Sequence, residues 1–316
     1  MSALLLAIVD YDFSKWERCF IALAPERDLR VWPARIGAPG DIRYACAWNA
    51  PPGLLASFPN LRAIFSLGAG VDHLAGDPTL PDVPIVRVVD PDLTVRMTEY
   101  VVLQVLMHHR RQRRYDIQQR DRVWRDIDNQ PAATDVKVGI MGLGVLGLSA
   151  ARALRHLGFQ VAGWSRSRKP LPGIATFAGE GELDAFLAAS EILVCLLPST
   201  PDTQAILDLG LLRKLKRDGA LRGAYLINAG RGALQVDADI LAALDEGSLA
   251  GASLDVFPVE PLAPDSPFWA DPRVIVTPHN AATVTPMALA RHVLRQIGRL
   301  ESGQPLENVV DRTRGY

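Results

Sequence analysis

Apolar residues come in short runs closed by turn-forming or polar residues through the first third of the chain, at 4–9, 29–32, 44–48, 61–67 and 85–89. Runs this short, without polar alternation, predict strands covered on both faces, as in a parallel sheet; the stretch 13–24 between two of them reads as a helix. From 94 to about 125 the pattern turns long and helical, and Val95, Tyr100, Val101, Leu103, Val105, Leu106 and Met107 offer more apolar surface than one exposed helix needs. Such a segment links domains or is covered by a second subunit. A second series of runs follows at 136–141, 160–164, 192–197, 224–228, 250–256 and 274–277, with helical stretches between most of them, and 285–302 reads as a closing helix. Strands alternating with helices in two series predict an α/β fold of doubly wound parallel sheets.

A length of 316 residues exceeds what one core usually supports, so two domains are expected. Hydrophobic residues at 48% and charged residues at 22% exclude a disordered or fibrous chain. The formal net charge of -1 argues against nucleic acid as the main partner and leaves small molecules. One dense basic tract, His108 to Arg114, is soon followed by acidic residues and carries no aromatic interleaving, so it reads as a solvated helix end. Its two adjacent histidines cannot share a helix face, and no metal site is expected. Cys19, Cys46 and Cys195 have no paired spacing and read as buried thiols in a reducing compartment. The opening run lacks a preceding basic residue and is too short for a signal core or a membrane span, so a cytoplasmic protein without a membrane partner is expected.

Gly142, Gly144 and Gly147 form Gly-x-Gly-x-x-Gly directly after one predicted strand and at the start of a helical stretch. In that context the pattern is a dinucleotide fingerprint: Gly142 permits the tight turn, and Gly144 lets the backbone, with Val145 and Leu146 at the helix start, approach a pyrophosphate. Glycines that merely turn the chain are the alternative for the pattern alone. About 20 residues on, where an NAD site usually carries Asp or Glu, the chain reads Trp164-Ser165-Arg166-Ser167-Arg168-Lys169. Hydroxyls and cations without a carboxylate suit a ribose 2′-phosphate, so NADP(H) is favoured, with NAD(H) still open. Leu197 and Pro198 end a buried run at the edge where such a sheet binds its ligand.

Three polar residues stand at the ends of later predicted strands: Arg231 in Asn228-Ala229-Gly230-Arg231-Gly232, Glu260 in Asp255-Val256-Phe257-Pro258-Val259-Glu260-Pro261, and His279 in Thr277-Pro278-His279. Separately each has an ordinary explanation, as surface charge or structural histidine. In this order, behind the glycine fingerprint, they resemble the D-isomer-specific 2-hydroxyacid dehydrogenase family over essentially the whole chain. Phe65-Ser66-Leu67-Gly68-Ala69-Gly70-Val71-Asp72-His73, the 164–169 segment and the ending 310–316 are most similar to its glyoxylate/hydroxypyruvate reductase A branch.

The resemblance implies a flavodoxin-like substrate domain of residues 1–98 and 286–316 and a Rossmann cofactor domain of residues 99–285, with the active site in the cleft between them. It implies a linking and dimerisation helix near 94–125, hence a homodimer. Arg231 would hold the carboxylate of a small 2-oxo acid, and its planar fork suits that anion. His279 would protonate the carbonyl oxygen as hydride arrives at carbon, and Glu260 would orient the ring and favour its charged form. Gly68, Ala69, Gly70 and Val71 would offer backbone N–H groups to the carboxylate, with Trp48 covering the substrate. Asp255 would contact the nicotinamide carboxamide, and Ala229 would also line the cofactor. Gly230 and Asn280 depart from residues common in relatives, which bears on fine substrate geometry. Glyoxylate and hydroxypyruvate are the expected substrates. The alternatives are a dehydrogenase of a bulkier D-2-hydroxy acid and a nucleotide-sensing binding protein on the same fold.

Overall fold

The computed structural model describes residues 2–9, 12–127 and 130–315. The chain forms two compact units, Met1–Leu93 with Thr283–Tyr316, and Thr94–Ala282. These divisions lie a few residues before the expected ones.

In the first unit β1 (Ala3–Ile8), β2 (Leu29–Val31), β3 (Ile42–Trp48), β4 (Ala63–Ser66) and β5 (Ile85–Val86) form a parallel sheet in the order β2-β1-β3-β4-β5. This is the flavodoxin-like order. Successive side chains of a strand point to opposite faces, and β1 shows it: Leu4, Leu6 and Ile8 join one core while Ala3, Leu5 and Ala7 join another. On the first face lie Phe20 of α1 (Ser14–Leu23) and Leu289, Ala290, Val293 and Ile297 of the C-terminal helix Pro286–Glu301. That helix starts on Thr285, whose hydroxyl accepts the Ala288 N–H at 3.2 Å, with Pro286 in its first turn. The short helix α2 (Asp72–Ala75) follows β4.

The second unit holds seven parallel strands: β6 (Lys137–Met141), β7 (Gln160–Ser165), β8 (Ala175–Ala178), β9 (Ile192–Cys195), β10 (Tyr225–Asn228), β11 (Gly251–Leu254) and β12 (Val274–Val276). Their order β12-β11-β10-β9-β6-β7-β8 reverses direction at β6, as in dinucleotide-binding sheets. Strand β8 is absent from the expected series because its residues are partly or fully exposed, as suits a sheet edge. The runs 192–197 and 250–256 outlast β9 and β11 because the loops leaving those strands stay buried at Leu197, Asp255, Val256 and Phe257.

The expected long helix over 94–125 is two, α3 (Pro91–His109) and α4 (Gln112–Arg120), broken where Arg111 adopts a left-handed φ of 55°. Met97, Tyr100, Val101 and Val105 of α3 are buried, whereas α4 buries no residue. The basic tract needs a correction, since His108 and His109 are core residues. The His108 Nε2 lies 2.8 Å from Ser253 Oγ and the His109 Nε2 2.9 Å from the Pro131 carbonyl. Burial pushes the His108 pKa down to about 4, so its ring is neutral. Cys46 and Cys195 are buried, and burial pushes the Cys195 thiol up to about 12, while Cys19 is only partly covered. Among the described residues no helix is long and apolar enough to cross a membrane, and no group of three or more His, Cys, Asp or Glu could hold a metal ion.

Candidate active site

Strand β6 ends in the glycine loop, and α5 (Val145–His156) begins from Gly144. Gly142 donates its N–H to the Trp164 carbonyl at 2.9 Å and turns at φ 110°, where a β-carbon would also lie 2.8 Å from the Leu196 carbonyl oxygen. A β-carbon on Gly144 would meet nothing within 4 Å. The loop is therefore open at the helix N-terminus, which suits the pyrophosphate of a dinucleotide. Val145 is exposed there and Leu146 packs against the core.

At the end of β7 the structure divides the residues that the sequence groups together. Trp164 is buried, with its indole N–H donating to the Gly179 carbonyl at 2.9 Å. The buried Ser165 hydroxyl donates to the Ser167 carbonyl at 2.9 Å. Arg168 pairs with Glu182 and donates to the Thr176 carbonyl. Lys169 donates from Nζ to the Leu143 carbonyl at 2.6 Å, bracing the glycine loop. Arg166 and Ser167 are exposed beside them. A cation and a hydroxyl at this edge fit a 2′-phosphate. Leu197 and Pro198 leave β9 at the same edge, the Pro198 carbonyl accepting from Thr203 Oγ1 at 2.7 Å, and the buried Ala229 leaves β10.

Arg231 follows β10 on a loop that is braced from inside. The buried Asn228 side chain accepts from the Gly230 N–H at 3.1 Å and donates to the Arg231 carbonyl at 3.2 Å and to Gln235 Oε1 at 2.8 Å. Gln235 in turn donates to Asp237 at 2.8 Å. Arg231 Nη1 donates to the Gly230 carbonyl at 2.8 Å.

Glu260 and His279 meet. His279 Nδ1 lies 2.8 Å from Glu260 Oε2, and Glu260 Oε1 accepts the Phe257 N–H at 2.9 Å. Half-burial pushes the Glu260 pKa up, but the His279 hydrogen bond, the Phe257 N–H and the charges of His279 and Arg231 outweigh it, so the carboxyl sits below its ordinary range. Arg231, Glu260 and His279 follow β10, β11 and β12, three neighbouring strands, at the carboxyl edge of the sheet. Asp255 is 1% exposed, and its carboxylate accepts from Thr277 Oγ1 at 2.6 Å and from the N–H groups of Asn280 and Ala281, each at 3.0 Å.

In the first unit the loop after β4 is tied by Ser66, whose buried hydroxyl accepts from the Gly68 N–H at 3.2 Å and donates to the Gly70 carbonyl at 3.0 Å. Among the described residues the N–H groups of Ala69, Gly70 and Val71 have no intramolecular acceptor. The Trp48 indole lies over Gly68, 3.0 Å from where a β-carbon would stand, and packs on the His73 ring at 4.5 Å between centroids. Sequence reasoning gave no supporting role to Ser66, His73, Gln235, Thr277 or Tyr100: Ser66, His73 and Thr277 lie inside the family motifs without a role of their own, and Gln235 and Tyr100 belong to none.

A dinucleotide-ordered sheet with an open glycine loop, and a carboxylate–imidazole pair with a guanidinium at its carboxyl edge, has the organisation of a nucleotide-dependent dehydrogenase. Comparison with known proteins narrows the class. The family described as D-isomer specific 2-hydroxyacid dehydrogenase, NAD binding domain, matches residues 102–281. Glyoxylate/hydroxypyruvate reductase A of Escherichia fergusonii is 41% identical over 312 residues, covering 97% of each chain. The crystal structure of an NADPH-dependent glyoxylate/hydroxypyruvate reductase from Sinorhizobium meliloti, in complex with NADP and sulfate, superposes with a TM-score of 0.95 at 47% identity over 100% of both chains. A probable 2-hydroxyacid dehydrogenase from Rhizobium etli, in complex with NADP, HEPES and L(+)-tartaric acid, has a TM-score of 0.94 at 47% identity, covering 100% of this chain and 99% of the other. The chain belongs to the D-isomer specific 2-hydroxyacid dehydrogenase family.

Proposed function

We propose that this protein is an NADPH-preferring reductase of small 2-oxo acids, converting glyoxylate to glycolate and hydroxypyruvate to glycerate. The observation that carries the reading is the 2.8 Å pair of His279 and Glu260, at the sheet edge that also bears Arg231 and the glycine loop. Relatives named as reductases of these acids support it.

The Gly142–Gly147 loop, with Arg166 and Ser167, would hold NADPH, whose chemistry there would be hydride donation to a carbonyl carbon. Every other task falls to side chains and backbone of the chain. Arg231 grips the substrate carboxylate with its fork and draws charge from the adjacent 2-oxo group. Backbone N–H groups of Ala69, Gly70 and Val71 on the loop after β4 are donors of the kind that bind a carboxylate, and Trp48 packs over that loop. His279 Nδ1–H donates to the Glu260 carboxylate, so Nε2 is the nitrogen that gives a proton to the carbonyl oxygen as that oxygen gains charge. In the reverse direction Nε2 takes the hydroxyl proton back. Glu260 holds the ring at the correct angle and balances its charge in both directions.

Steady-state oxidation of NADPH against a panel of 2-oxo acids tests the proposal. Turnover that depends on glyoxylate or hydroxypyruvate, and is slower with NADH, is expected. Binding of NADPH without turnover of any 2-oxo acid would replace the reading with a nucleotide sensor, and preference for a bulky acid would replace the substrate.

We infer further a homodimer built on α3, α4 and the segment after them, in the cytoplasm. Val95 and Leu103 on α3, Val123, and a fully exposed Trp124 form apolar surface of the kind a partner covers. Unpaired cysteines suit a reducing compartment. Light scattering should give twice the 34.4 kDa chain mass, and Trp124→Glu should shift it toward monomer. A monomer at micromolar concentration would remove the dimer.

A further inference from the structure

His279 stands in the left-handed backbone region at φ 50°, which a residue with a β-carbon holds only where its surroundings impose it. Those surroundings converge on Asp255. Its carbonyl accepts the His279 N–H at 2.8 Å, and its carboxylate takes the next two N–H groups, of Asn280 and Ala281. The carboxylate is itself held by the Thr277 hydroxyl at 2.6 Å, and the Tyr100 phenol oxygen lies 2.9 Å from that same hydroxyl.

The direction of this chain follows from its chemistry. A carboxylate facing two N–H groups and a hydroxyl acts as acceptor only, so the single Thr277 hydroxyl proton goes to Asp255. The phenol proton therefore goes to Thr277. Tyr100 is the outermost donor, it is buried on α3, and among the described residues its hydroxyl has no further partner.

We propose that Tyr100 is a positioning residue for the proton donor His279, acting through Thr277 and Asp255 on the turn that holds the imidazole. The proposal rests on the role given to His279 above. Without the phenol proton, the Thr277 hydroxyl keeps Asp255 as its acceptor but loses the donor that fixes its orientation. The Asp255 carboxylate is then held less firmly, and the turn that keeps residue 279 at φ 50° loosens. The apolar ring of Tyr100 is a separate matter, since it packs with Met97, Val101 and Val105 whether or not the hydroxyl is present.

Tyr100→Phe removes the hydroxyl and keeps the ring, and Thr277→Val removes the middle link at nearly constant volume. With kcat, KM for NADPH and glyoxylate, and the thermal midpoint measured for both singles and the double, each single should lower kcat roughly three- to tenfold, the effect of one lost hydrogen bond on turnover. KM for NADPH should stay within about twofold of wild type, and the double should be no slower than the slower single, because both changes break one chain. Effects that multiply in the double, or a Tyr100→Phe enzyme with wild-type kcat, would overturn the proposal. A His279→Ala control separates the two levels. Near-wild-type turnover in that control overturns the proton-donor role and this inference together, whereas an inactive control with a multiplicative double overturns only the part given to Tyr100.

Discussion

Gly232 offers a direct test of how tightly the chemical site is built. It follows Arg231, and a β-carbon placed on it would lie 1.9 Å from the Phe257 oxygen, 2.0 Å from the Phe257 carbon and 2.6 Å from the Pro258 nitrogen. All three are main-chain atoms, so no side chain can swing aside. Reaching an ordinary 3.4 Å contact from 1.9 Å requires the two loops to part by about 1.5 Å. One of those loops carries Arg231, and the other carries Glu260, whose Oε1 is anchored on the Phe257 N–H at 2.9 Å. Overpacking of this kind costs about 1–3 kcal/mol of stability. The larger effect falls on geometry, since misplacing reacting groups by about 1 Å can cost about 10²-fold in rate. Gly232→Ala should therefore fold with a lowered thermal midpoint and lose about 10²-fold or more in kcat/KM for glyoxylate. The glycine loop after β6 is formed by other residues, so the NADPH dissociation constant, read by cofactor fluorescence, should change little. A variant with kcat/KM within threefold of wild type would show that the two loops separate freely and that their contact does not set the catalytic geometry.

Arg231→Lys keeps a charge but loses the bidentate fork, so kcat/KM should fall by about 10² or more, with Arg231→Ala lower still; a Lys variant near wild type would reduce Arg231 to a point charge. Arg166→Ala should raise KM for NADPH at least about tenfold and KM for NADH less than twofold, since only NADPH carries the phosphate; equal losses would remove Arg166 from that site. Glu260 sits below its ordinary carboxylate range, near 4.3 in free peptides, so its pairing stabilises the fold above that pH and the contribution fades as pH falls through the lowered folded value. Urea midpoints between about pH 6 and 3 should then drop more steeply for wild type than for Glu260→Gln, and parallel curves would contradict the assigned pairing.

Most of the chemistry was legible because a parallel α/β sheet delivers its functional residues at the carboxyl ends of strands. An apolar run ending in Gly142, Arg231 or His279 carries both the strand and the position of the residue after it, and the family resemblance supplies the order. What stayed hidden depends on partners distant along the chain. Nothing in Ser165-Arg166-Ser167-Arg168-Lys169 foretells that Glu182 takes Arg168, that the Leu143 carbonyl takes Lys169, and that Ser165 turns inward, so five similar polar residues acquire separate fates only in the fold. The break at Arg111 carries neither glycine nor proline, and the buried state of His108 follows from Ser253, 145 residues away. Tyr100 and Thr277, 177 residues apart, make the same point at the catalytic turn. A hydroxyl on an apolar helix reads as one more core aromatic until the strand it faces is known. Groups that touch the reacting atoms must recur in motifs because chemistry restricts their type and place, whereas groups that hold them need only one compatible partner. That difference is why the family resemblance could name the candidate triad while its supports required coordinates.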